Sequence, residues 1–291
     1  MIHKKTVAIL VTMIAIASGY AASVGIFSSG GPGLHEFTSI HGKVVKIYGN
    51  GIYRNMSAEV APQGIAQDYV TLFIAIPLLL IALFYFLKGS LRARFVLGGV
   101  LGYFLVTYMF YLAMAVYNPL FLVYTFLFGA SFFALSLTLL SVGVNDISAL
   151  FSRKTPVLFP GAFLIFNTTA IALLWLSIVV PPLLNGSIIP SSVEHYTTLI
   201  VQGYDLGLLL PLAAISGILL LRRKSWGFLI GPVYLVFLSL LMTALISKII
   251  ALGILGYAII PAVFIIPVLA LVSVFCSYLL LSNIISAVHT D

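Results

Sequence analysis

The sequence predicts an all-α polytopic membrane bundle of eight transmembrane helices. Three observations carry that reading. Of 291 residues, 62% are hydrophobic and only 7% charged, whereas a soluble domain carries about 25% charge. So few charges cannot clothe a globular surface, so lipid must cover it. Eight apolar stretches follow one another, each long enough at 1.5 Å per residue to cross a hydrocarbon core of roughly 30 Å. Finally, Lys4 and Lys5, then Lys88, Arg92 and Arg94, then Arg153 and Lys154, then Arg222, Arg223 and Lys224 fall at alternate ends of those stretches. Basic residues beside helix ends stay cytoplasmic, which places both termini inside the plasma membrane. The net charge of +7 is a headgroup signal, not a nucleic-acid one.

The spans are expected at Thr6–Phe27, Tyr69–Leu87, Phe95–Tyr117, Pro119–Val142, Phe159–Leu183, Val201–Leu221, Trp226–Leu252 and Ile260–Ile285. The backbone of a helix satisfies its own hydrogen bonds in lipid, and none of these stretches alternates as barrel strands do. The first stretch, preceded by His3-Lys4-Lys5, reads either as an uncleaved helix or as a secretory signal; its length favours the helix.

Residues 28–67 form the one sizeable non-membrane segment, an outer cap. Ser28-Ser29-Gly30-Gly31-Pro32-Gly33 reads as a flexible exit. Lys43–Arg54 alternates on both sides of Gly49-Asn50-Gly51, which predicts a β-hairpin turning at those three residues. Asn55-Met56-Ser57 and Asn185-Gly186-Ser187 are acceptor triplets on the expected outer side.

Within a single membrane domain, halves 1–150 and 151–291 show a parallel correspondence. Asp68, Pro77 and Lys88 parallel Asp205, Pro211 and Arg222, and Pro119 and Ser131 match Pro261 and Ser273. This reads as a parallel 4+4 repeat; chance alignment of apolar sequence is the competing explanation.

Ionisable groups at membrane depth are functional candidates because placing them there is costly. Asp205 and Lys248 both fall near the outer edge, as a charge pair at a gate or binding site, or as a helix cap and a snorkelling lysine. Asp68 is expected at the start of the second helix, where a carboxylate complements the dipole. Arg54, Tyr53, Glu194 and His195 are candidates for the same outer mouth. Asn167-Thr168-Thr169 is the main polar cluster inside the spans, suited to interhelical hydrogen bonding.

Enzyme motifs are missing. Gly203-Tyr204-Asp205 matches half of an intramembrane aspartyl protease site, without the second half. Gly129-Ala130-Ser131 lacks a histidine partner in later spans, because His3, His35, His41, His195 and His289 all lie outside them. No metal-binding pattern, Walker loop or Rossmann pattern occurs, and Cys276 stands alone. No cofactor is expected.

Tyr48-Gly49-Asn50-Gly51-Ile52-Tyr53, Asp68-Tyr69-Val70-Thr71-Leu72, Lys88-Gly89-Ser90-Leu91-Arg92 and Tyr117-Asn118-Pro119-Leu120-Phe121 form a recurring pattern. With Asp205-Leu206-Gly207 and Arg222-Arg223-Lys224-Ser225-Trp226-Gly227, the chain resembles a group of multi-pass prokaryotic membrane proteins of uncharacterised activity, over roughly residues 45–230. The resemblance implies that the outer loop and the two aspartates act as a unit, and implies no reaction.

Three functions remain at this level. The first is transport or permeation of a small solute or ion, using Asp68, Asp205 and Lys248. The second is a non-catalytic sensor or accessory subunit whose cap meets a partner subunit or a second copy. The third is an outer-leaflet lipid enzyme built on Glu194, His195 and Asp205, which requires those three within hydrogen-bond reach.

Overall fold

The computed structural model describes residues 3–142 and 144–285. His289 and both chain ends lie outside the described residues. Eight helices in the described residues are long and apolar enough to cross a membrane: α1 (Lys4–Phe27), α2 (Val60–Leu87), α3 (Leu91–Met114), α4 (Phe121–Leu140), α5 (Leu158–Leu184), α6 (Ile200–Leu221), α7 (Ser225–Ile254) and α8 (Ala262–Ser282). The protein is a multi-pass membrane protein. Side chains such as Ile16, Phe84, Leu122, Phe133 and Leu271 lie exposed on the outside of the bundle, where only lipid makes such a surface stable.

The helices pack in the same order in each half. In the first, α1 lies on α2 and α4, and α3 lies between α2 and α4; in the second, α5 lies on α6 and α8, and α7 lies between α6 and α8. The halves meet along α3 and α7, and glycine lets them approach. A Cβ on Gly99 would stand 2.4 Å from Val236 Cβ, and one on Gly98 would stand 3.3 Å from Val233. Gly161 and Gly217 do the same for α5 and α6, as expected where van der Waals contact drives helix association in lipid.

The halves differ in one seam. Helix α2 packs closely on α7, whereas α6 meets α3 mainly at its first turn, where Tyr204 and Phe110 stand edge to face at 5.4 Å. Below that contact α3 and α6 diverge and leave a cavity.

Helix α2 begins nine residues earlier than the apolar run suggests, at Val60 rather than Tyr69. Pro62, Gln63, Gly64 and Gln67 depress the local hydropathy without breaking the helix. Pro62 sits in the first turn, where its missing N–H is no loss, and the Ser57 hydroxyl accepts from the Val60 N–H at 3.3 Å. Asp68 is therefore two turns inside α2 and buried, not a cap at its start.

Both α2 and α6 contain one widened turn, at Thr71–Ala75 and Asp205–Leu209, in which the following N–H reaches back five residues. Each is followed by a proline, Pro77 and Pro211. A proline ring clashes with the carbonyl four residues earlier and donates nothing to it; the wider turn accommodates this. Matched on these turns, Thr71 stands opposite Asp205, and Asp68 stands opposite Gln202. The two aspartates are thus not equivalent positions.

Helices α2, α4 and α8 end at the basic end of the bundle, where cations cover their terminal carbonyls. Lys4 donates to Leu87 at 3.1 Å, Arg94 to Ser141 at 3.1 Å, and Arg92 to Ser282 and Ile284, both at 3.3 Å. The last carbonyls of a helix lack internal partners and carry partial negative charge, so these cations stabilise the fold.

At the opposite end, β1 (His35–Thr38) and β2 (Val44–Ile47) pair antiparallel, with His35 opposite Ile47 and Thr38 opposite Val44. The hairpin therefore turns at residues 39–43, not at Gly49-Asn50-Gly51. The Ser39 hydroxyl accepts from the His41 and Lys43 N–H groups, and Gly42 takes a positive φ of 73°. Gly49-Asn50-Gly51 does something else: it lies against the exit from α1. A Cβ on Gly49 would stand 1.7 Å from the Gly33 carbonyl, and Gly51 N–H donates to the Gly30 carbonyl at 2.8 Å. Two glycine-rich strings are needed because two backbones touch, so the residues after α1 form a docked segment.

Candidate functional site

The cavity has a volume of about 480 Å³ and is bounded by α2, α3, α5, α6 and α7. Each helix contributes one stripe at helical spacing: Tyr103, Thr107 and Tyr111 from α3; Asn167, Ile171 and Trp175 from α5; Leu238, Leu241, Leu245 and Lys248 from α7. Its mouth, at the cap end, is lined by Glu59, Gln63 and Glu194. Tyr234 lines its deep end; it precedes Lys248 by 14 residues, roughly 21 Å of helix rise. The size and the mainly apolar wall with few polar groups are those of a small-molecule site.

Asp205 and Lys248 both line this cavity. The Trp175 indole N–H donates to Asp205 Oδ2 at 2.7 Å, which fixes one carboxylate oxygen. Side chains on a helix tilt toward its N-terminus, so Lys248 leans inward from the cap end while Asp205 leans outward. The Lys248 ammonium feels the charge of Asp205 first and of Asp68 second. Among the described residues it makes no hydrogen bond.

Asp68 does not line the cavity. It sits one layer behind, held by two tyrosines that do: Tyr53 donates to Oδ2 at 2.6 Å and Tyr111 to Oδ1 at 2.9 Å. Tyr111 shares its hydrogen with the Gly64 carbonyl at 3.0 Å. On its far side the carboxylate presses against Gly25 of α1, where no side chain could fit. Tyr53 belongs to the cap, so this contact anchors the cap in the bundle. Burial, and then the neighbouring Asp68, push the Tyr53 phenol well above its ordinary range, so it stays a donor.

Gln67 lies beside Asp68 with 4% of its surface exposed. Its amide nitrogen donates to Tyr103 at 2.8 Å and to Thr107 at 3.1 Å, and its oxygen has no partner. Exchanging the amide's two ends leaves the nitrogen unpaired instead, so one pole of Gln67 is unsatisfied in either assignment. Asn167 is 5% exposed, lines the cavity and makes no hydrogen bond among the described residues. Buried polar groups are ordinarily paired; the Gln67 oxygen on α2 and the Asn167 amide on α5 depart from that.

The remaining candidates lie at the rim. Glu194 lines the mouth, with a positive φ of 54°. Burial and then Glu194 raise Glu59 above the usual carboxylate range, against the nearby Lys43. His195 leaves the cavity; its Nε2 bonds the Asn55 carbonyl at 2.9 Å and its ring packs on Tyr196 at 4.4 Å. Arg54 is exposed on the cap. His195 bonds Asn55 and Asp205 bonds Trp175; among the described residues no hydrogen bond joins Glu194, His195 and Asp205 to one another.

Sequence reasoning missed Trp175, Gln67, Tyr103, Thr107 and Tyr111. The signal was present: Tyr103, Thr107 and Tyr111 recur every fourth residue of α3, which places their hydroxyls on one face. Among the described residues no group of three metal-ligating side chains occurs. Comparison with models of known families, with curated proteins and with solved structures found no match.

Proposed function

We propose that this protein carries a small solute across the plasma membrane, entering at the cap end and binding in the cavity between α3 and α6. The observation that carries the reading is a cavity reaching from the mouth to Tyr234 with Asp205 and Lys248 on its wall. Charged groups at such depth are costly and are retained where they serve a path or a ligand. The matching helix order of the two halves, and the widened turn before a proline in both α2 and α6, support an internal parallel repeat. Such halves can rock against each other about a central site. In this reading the basic end faces the cytoplasm, both termini are inside, and no bond chemistry is performed.

One observation favours the rival reading, a sensor or accessory subunit. Beneath Tyr234 the cavity gives way to the tight α3–α7 contact at Gly98 and Gly99, so a ligand bound from the cap end has no exit in this conformation. Cysteine accessibility separates the two. In a Cys276→Ser background, Leu241→Cys should react with a membrane-impermeant maleimide from the cap side of sealed vesicles, and also from the basic side. Reaction from the cap side alone, under all solute and pH conditions, would reject transport and leave a receptor.

A further inference from the structure

We infer that the cavity selects a zwitterion carried on an apolar body, with the ammonium of the ligand against Asp205 and its anionic oxygens against Lys248. This rests on the reading above that the cavity binds a solute, and names the class of that solute. It follows from what the wall leaves unsatisfied. Trp175 occupies only one oxygen of Asp205. Lys248 offers three N–H donors and bonds nothing among the described residues. The two charges of opposite sign stand on adjacent helices of the same cavity, so a dipolar head would meet both.

Charge balance points the same way. A simple cation binding at Asp205 would face the Lys248 ammonium. A simple anion binding at Lys248 would face Asp205; Asp68 stands behind the wall with two phenol donors of its own. Burying an unmatched charge costs far more than burying a matched one. A head bearing one charge of each sign leaves the sum unchanged. One pole of the Gln67 amide is unpartnered near the head, and Asn167, eight residues before Trp175 on α5, offers a neutral amide further in. Deeper in, Val106, Phe237, Leu238, Leu241 and Met242 line the cavity with apolar surface, interrupted by Asn167 and Tyr234. A volume of about 480 Å³ exceeds what a dipolar head alone would fill, and pockets of this size hold ligands with a substantial apolar body.

This head chemistry has two sources: a single-chain lipid with an ethanolamine phosphate head, or a free amino acid with a large apolar side chain. The chain holds two tryptophans, Trp175 and Trp226, and only Trp175 lines the cavity. In a Trp226→Phe variant in dodecyl maltoside, Trp175 emission becomes a reporter of the Asp205 contact. Lysophosphatidylethanolamine and phenylalanine are titrated as the two zwitterions, with dodecylamine and dodecanoate as the single-charge controls. A saturable emission change with one zwitterion is expected, at least tenfold tighter than with either control. The lipid responding and phenylalanine not responding assigns a lipid; the reverse assigns a free amino acid.

Lys248→Met should weaken the zwitterion at least tenfold and tighten dodecylamine, a reversal that misfolding cannot produce. Binding of dodecylamine or dodecanoate as tight as either zwitterion would overturn this inference and leave the cavity a solute site. No saturable response to any of the four would overturn both this inference and the solute reading.

Discussion

Gly25→Ala tests the contact between α1 and the buried carboxylate of α2. An added Cβ would stand 1.7 Å from Asp68 Oδ2 and 3.1 Å from the Tyr53 hydroxyl. A carbon and an oxygen need about 3.3 Å, so the carboxylate must retreat by about 1.6 Å. A shift of that size breaks the 2.6 Å bond from Tyr53. Losing a hydrogen bond to a carboxylate costs about 2 kcal/mol, while replacing glycine by alanine inside a helix returns about 1 kcal/mol. The net expectation is a loss of about 1 kcal/mol. In an Asp68→Ala background the obstructing oxygen is gone and only the helix gain remains, so the same substitution should stabilise by about 1 kcal/mol. The assay is an SDS unfolding titration in mixed micelles over the four members of the cycle. A coupling near 2 kcal/mol, with reversal of sign, is expected. Equal effects of Gly25→Ala in both backgrounds, within about 0.5 kcal/mol, would refute the packing argument.

Two further outcomes are expected. On α3, Gly99→Ala should destabilise by about 1–3 kcal/mol through overpacking, because its Cβ would stand 2.4 Å from Val236 Cβ; Gly102→Ala, whose nearest contact would be 3.7 Å away, should be tolerated in the same titration. At the mouth, folding raises Glu59 above the usual range, so the folded protein holds that proton more tightly than the unfolded chain. Its contribution is therefore fully present below the ordinary glutamate range and is lost as pH rises through the raised value. Hydrogen exchange of residues 57–63 should quicken over that interval beyond the intrinsic pH effect, and Glu59→Gln should flatten the dependence.

The eight spans were legible because hydropathy is summed over twenty residues, and no single position decides it. The hairpin was half legible. Val44–Ile47 alternates in burial, but His35–Thr38 is exposed along its whole length and carries no period to read. The start of α2 was hidden because Gln63 and Gln67 line a cavity, so the helix looks polar there. Asp205 and Lys248 stood out as charges in apolar sequence. Trp175 did not, because a tryptophan near a helix end is expected at a membrane interface whether or not it holds a carboxylate. The place of Asp68, behind the wall instead of on it, depends on Tyr53 and Tyr111 arriving from two other segments.

That last dependence governs the order in which the molecule can be built. Tyr53 is made 58 residues before Tyr111, an interval of roughly 3–12 s at about 5–20 residues per second. Throughout it the nascent cap lacks one of the two hydroxyls that grip its anchor. A pause in translation before α3 would lengthen that interval and leave the newly made loop open to proteases, whereas the finished protein keeps the same tyrosine out of their reach.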